Sequence, residues 1–92
     1  MSHVSKEKHK LVKRLRRLRG QIEAIERAVE NDQECVGVLQ QATACRGAMD
    51  GFIAEVIEDH IREHMIDRTT SANDPRTEAA DELIDIIHMY LK

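Results

Sequence analysis

The chain has no tryptophan, one phenylalanine, one tyrosine, one proline and two cysteines among 92 residues. A domain of this length buries only about 60% of the surface of its unfolded chain. Without aromatic bulk it has few side chains able to close a core, so a second copy is expected to complete it. The length itself allows one domain, residues 1–92, and not two. Cys35 and Cys45 are too few for a disulfide framework and are read as reduced thiols. No apolar run approaches the roughly 18 residues that a membrane span needs, and Met1 to Lys6 lack the apolar stretch of a signal peptide. The expectation is a cytoplasmic protein with no membrane partner.

The net charge of −3 conceals an asymmetry. Residues 1–19 carry eight Lys/Arg against Glu7 alone, a balance of +7, while residues 20–92 carry six Lys/Arg against sixteen Asp/Glu, a balance of −10. Such a split points to a polyanionic partner for the basic part.

Leu11, Leu15, Leu18, Ile22, Ile25 and Val29 recur at alternating spacings of four and three, the stripe of an amphipathic helix over about 5–30. Asn31 to Glu34 interrupt it with polar residues, and Asp32 is the expected N-cap of the next helix. From Val36 to Met65 apolar positions again recur at three and four residues, predicting one long helix over about 33–65, with Cys45 facing the core. Residues 67–74 are polar, and Asp74-Pro75 pairs an N-cap with proline at the first helical position. A third helix over 75–91 should turn Ala80, Leu83, Ile84, Ile87, Tyr90 and Leu91 inward. No strand signal appears, and the fold class is all-α with three helices. At ~1.5 Å per residue the second helix would span about 45 Å, longer than a compact 92-residue globule is wide. Its ends need a partner chain.

On the first helix Lys6, Lys10, Lys13 and Arg17 fall in a stripe almost opposite Leu11, Leu15, Leu18 and Ile22, flanked by Arg14 on one side and by His9 and Arg16 on the other. Opposing acids are missing from this ridge, which favours nucleic acid over a merely solvated face. Membrane insertion would need free apolar residues, and the stripe is committed to packing. No helix-turn-helix is visible, nor aromatics for stacking single strands. The candidate partner is therefore double-stranded DNA, held through phosphates by Lys10, Lys13, Arg14 and Arg17.

His60 and His64 lie one turn apart and offer two imidazoles from one face. Cys35 offers a soft sulfur, and His3 with the amine of Ser2, freed on removal of Met1, offers further nitrogens. This donor set suits Co, Ni, Zn or Cu. Glu63 is a supporting or occasional ligand. One chain cannot close the site, because 25 residues separate Cys35 from His60, roughly 37 Å of helix. Two antiparallel copies pairing residue i with about 96 minus i would bring Cys35 of one chain to His60 and His64 of the other. The crossing then falls near Ala48, between Gly47 and Gly51, where small residues permit close approach. No nucleophile and base, and no pair of acids, stands out, so an enzyme is not expected. A metal store would use the same ligands but not the basic ridge.

Four segments in combination resemble the CsoR/RcnR/FrmR family of small all-helical bacterial repressors. They are Arg16-Arg17-Leu18-Arg19-Gly20-Gln21-Ile22-Glu23-Ala24, Cys35 through Val38-Leu39-Gln40-Gln41, Arg46-Gly47-Ala48, and Glu55-Val56-Ile57-Glu58-Asp59-His60-Ile61. The resemblance covers nearly the whole chain. It implies antiparallel dimers assembling into a homotetramer, operator binding without a helix-turn-helix, and release when an inducer arrives. Copper sensors of the family carry Cys at the position of His64, which argues against Cu(I). His3, Cys35, His60 and His64 match the pattern of the nickel/cobalt-responsive RcnR group, so Ni(II) or Co(II) is the implied inducer, with Zn(II) also accommodated. The formaldehyde-responsive FrmR type is the alternative, using Cys35 and the N-terminal amine, although Ser2 replaces the proline of that group. Cys45 and Asp50 depart from the family pattern.

Overall fold

The computed structural model describes residues 8–65 and 73–91. The chain runs α1 (Lys8–Glu30), α2 (Cys35–His60), a π-helical turn (Ile61–Met65) and α3 (Pro75–Leu91). This is the expected all-α architecture of three helices, and no strand occurs among the described residues.

The turn after α1 is closed by the backbone. The Gln33 N–H donates to Ala28 O at 2.9 Å and the Asp32 N–H to Val29 O at 3.2 Å. This paired pattern ends a helix when one residue takes the left-handed conformation. That residue is Asp32, at φ 55°. Asp32 therefore terminates α1 and does not cap α2, correcting the sequence expectation. Glu34 occupies the cap position of α2 and makes no side-chain capping bond, so α2 begins two residues later than expected. Its far end is also different: the expected single helix passes from α-helical to π-helical geometry at Ile61. By contrast, α3 starts as its sequence predicts. The Arg76 N–H donates to Asp74 Oδ1 at 2.8 Å, and the Thr77 and Glu78 N–H groups donate to Asp74 O.

α1 folds back along α2, burying Leu11, Leu18 and Ala28 from α1 and Gly51 and Ala54 from α2. α3 packs at the other end, where Ile61, Ala80 and Ile84 form a small cluster with Ile57 and Ile87 around it. The result is a slab, 56 × 26 × 13 Å, barely more than one helix thick. Its radius of gyration, 17.3 Å, well exceeds the ~12 Å expected of a compact chain of 92 residues.

The thinness explains which apolar residues fail to reach the core. The α1 stripe contains two sets spaced by seven. Leu11 and Leu18 are buried and Ile25 is half-buried, whereas Leu15, Ile22 and Val29 remain 42–58% exposed. The stripe is wide enough for two neighbours and its own chain supplies one. In α3 the same holds. Ala80 and Ile84 point inward as expected, but Leu83 is exposed and Tyr90 is 78% exposed. Cys45 is half-buried and does not reach the core.

Candidate functional site

His60 closes α2 and His64 lies in the π turn, and their rings sit 4.9 Å apart between centroids, tilted by 31°. Both side chains are exposed, as is Glu63. The separation brings two imidazoles within reach of one ion, given metal–nitrogen bonds of about 2.1 Å. Cys35 is the first residue of α2, exposed and reduced. Twenty-five helical steps of ~1.5 Å place it roughly 37 Å from His60. Among the described residues no three His, Cys, Asp or Glu side chains converge on one point. Ser2 and His3, the remaining candidate ligands, lie outside the described residues. The donors present, two imidazoles and a thiol, fit a borderline transition metal in type, and within one chain they stand at opposite ends of one helix.

Behind the histidine pair, α3 is tied to α2 by a polar cluster that sequence reading did not find. Glu58 Oε1 lies 2.6 Å from His88 Nε2, and Arg62 Nε lies 3.2 Å from Glu58 Oε2. Arg62 also faces Asp81 at 3.6 Å. The hydrogen bond with His88, helped by Arg62, holds the Glu58 carboxyl below its usual pKa of 4.5, against the opposing effect of burial. His88 is thus a tether between helices.

The basic ridge is present but differs from the sequence picture in one respect. Lys13 and Arg17 are exposed, and Lys8, His9, Val12, Lys13 and Arg16 line a groove of about 370 Å³ along it. Lys10 and Arg14, however, converge on a carboxylate of α2. Lys10 Nζ lies 2.7 Å from Glu55 Oε1 and Arg14 Nη2 lies 3.1 Å from Glu55 Oε2. The opposing acid that the α1 ridge lacks is supplied by the neighbouring helix. Its only signal in the sequence is an acid among the apolar positions of α2, and pairing it with α1 requires the hairpin register. The two glycines near the middle of α2 also separate. A Cβ at Gly47 would meet nothing within 4 Å, whereas one at Gly51 would stand 3.2 Å from Arg14 Nη1. The room at Gly51 is taken by Arg14 of the same chain.

With this geometry in view, the comparisons with known proteins carry weight. The chain belongs to the metal-sensitive transcriptional repressor family, whose pattern matches residues 7–89. It is 36% identical over 92 residues, the whole of both chains, to the transcriptional repressor RcnR of Salmonella paratyphi B. It is 41% identical, again over the whole of both chains, to the uncharacterized protein in the bioA 5' region of Serratia marcescens. Among solved structures it resembles a variant of the formaldehyde-responsive regulator FrmR from Salmonella enterica serovar Typhimurium. That match has a TM-score of 0.66 and 36% identity over 92% of this chain and 94% of that one. The family is one of transcriptional repressors and not of enzymes. No helix among the described residues is long and apolar enough to cross a membrane.

Proposed function

We propose that this chain is a cytoplasmic, inducer-responsive repressor whose free form holds operator DNA and whose Ni(II)- or Co(II)-bound form releases it, derepressing a metal exporter gene. The observation that carries the reading is the layout of α2. Two exposed imidazoles stand at one end and an exposed thiol at the other. Between them Val36, Leu39, Met49 and Ile53 are exposed apolar side chains. An antiparallel second copy would cover that apolar strip and carry its own Cys35 to His60 and His64. The arm bearing Ser2 and His3 would complete the donor set, with Glu63 alongside. Pairs of such dimers would form the homotetramer. A bound divalent ion supplies two positive charges and a fixed geometry that joins the two chains. Anchoring the N-terminal arm would then draw on α1 and shift the ridge of Lys10, Lys13, Arg14 and Arg17 against the phosphates. By linkage, DNA weakens inducer binding by the factor by which inducer weakens DNA binding, with coupling of about 1–3 kcal/mol.

A second reading, release by formaldehyde condensing at Cys35 and the N-terminal amine, is favoured by the exposure of Cys35 and by the likeness to FrmR. An anaerobic Co(II) titration of the reduced protein, repeated on Cys35→Ala and His64→Ala, separates the two. Tight binding with a sulfur-to-metal charge-transfer band, lost in both variants, is the expected result. Binding indifferent to both residues would sink the metal reading. Duplex release by formaldehyde, dependent on Cys35 alone, would then establish the second.

A further inference from the structure

Glu55 of α2 pairs with two cations of α1, and its side chain is only 12% exposed. Each carboxylate oxygen takes one partner, Lys10 on Oε1 and Arg14 on Oε2. Lys10 and Arg14 are one turn apart on α1, so a single acid can span them. One turn before Glu55 on α2 is the buried Gly51, where a side chain would press on the Arg14 guanidinium at 3.2 Å. The guanidinium therefore lies in a seat floored by a glycine backbone and walled by a carboxylate. A carboxylate and a phosphate offer a guanidinium the same paired-oxygen geometry. Each cation spends a donor on Glu55 and has its charge offset by that carboxylate, so Glu55 and a phosphate compete for the same two side chains.

We propose that Glu55 is an internal competitor for DNA: a positioning residue that holds Lys10 and Arg14 against α2 and lowers the charge they present to operator phosphates. This rests on the reading of the ridge as the DNA-binding face. It adds that the strength of binding is set from α2, the helix that also carries His60. Glu55 precedes His60 by five residues, so a displacement of this end of α2 moves the competitor along with the inducer ligands.

The test is a double-mutant cycle on the full-length protein. Binding to a short mixed-sequence duplex is measured by fluorescence anisotropy, and salt of elution from heparin is measured independently. Glu55→Gln is isosteric and should keep the helical circular-dichroism spectrum. It is expected to bind the duplex roughly tenfold more tightly, the effect of unmasking about one unit of charge near the surface. Glu23→Gln, which removes the same charge from an exposed site on α1, should gain distinctly less. In a Lys10→Gln/Arg14→Gln background, Glu55→Gln should gain no more than Glu23→Gln does, which a mere change of net charge would not reproduce. Gly51→Ala, favourable to the helix and crowding Arg14, should shift affinity in the same direction by a smaller factor. The proposal is overturned if Glu55→Gln binds no more tightly than Glu23→Gln, or if its full gain persists without Lys10 and Arg14. A wild-type chain that ignores duplex while its heparin affinity follows the cycle would retain the Glu55 seat and lose the DNA reading.

Discussion

Replacing Leu39 by glutamine asks whether the exposed face of α2 is a surface or half of an interface. Leu39 is 60% exposed and borders a groove with Val36, Gln40, Thr43 and Ala44. Glutamine has nearly the helix propensity of leucine. In a lone chain the change should therefore cost less than about 0.5 kcal/mol, the usual range for surface substitutions. If a second copy covers the face, the remaining 60% of a side chain worth about 2–3 kcal/mol on full burial is lost, roughly 1.5 kcal/mol per copy. Twofold symmetry doubles this to about 3 kcal/mol per dimer, before any cost of burying an amide without partners. The dimer dissociation constant should rise by at least about two orders of magnitude. Sedimentation equilibrium across a concentration series measures that directly, and the melting temperature of the variant should fall below that of the wild type at equal concentration. A wild-type chain that sediments as a stable monomer, or a variant with unchanged association, would refute the reasoning. The slab shape and the unpartnered half of the α1 stripe would then need another explanation.

Three further outcomes follow from the local geometry. Asp32→Gly relieves a left-handed residue at the end of α1 and should raise stability by about 0.5–1 kcal/mol, visible as a few degrees in thermal melts; a loss would contradict the assignment of Asp32 as the terminator of α1. Glu58 has its folded pKa held below its usual value of 4.5, so its contribution is present above the unfolded pKa and disappears as pH falls through the folded one. The anchoring of α3 should weaken as the pH falls below the usual glutamate value of 4.5. Carboxyl carbon NMR should find Glu58 titrating below ordinary glutamates, and Glu58→Gln should flatten that part of the acid-unfolding curve. Asp74→Ala removes the bond from the Arg76 N–H and should lower stability through the lost cap. Hydrogen exchange should locate the loss in the first turn of α3, and uniform loss along the helix would count against the cap.

Reading the residues alone reached the helices and their order, because apolar spacing and caps such as Asp74-Pro75 are local properties of the chain. It misread Asp32 because the same residue types suit the start of one helix and a left-handed end of another. The choice depends on backbone bonds across the turn from Ala28 to Gln33. It also could not divide the α1 stripe. Leu11 and Leu15 are equivalent in the periodic pattern, and only the placement of α2 buries the first and leaves the second exposed.

The candidate site divides along the same line. That His60 and His64 share one face, that Cys35 stands too far along the helix to join them within one chain, and that cations crowd the first half of α1 all follow from sequence spacing and a fixed rise per residue. That Glu55 takes Lys10 and Arg14, that Arg14 fills the space at Gly51, and that His88 ties α3 to Glu58 were decided only by the tertiary structure. Each joins residues at least 30 positions apart, and a helical repeat carries no information about which turn of another helix will lie beside it.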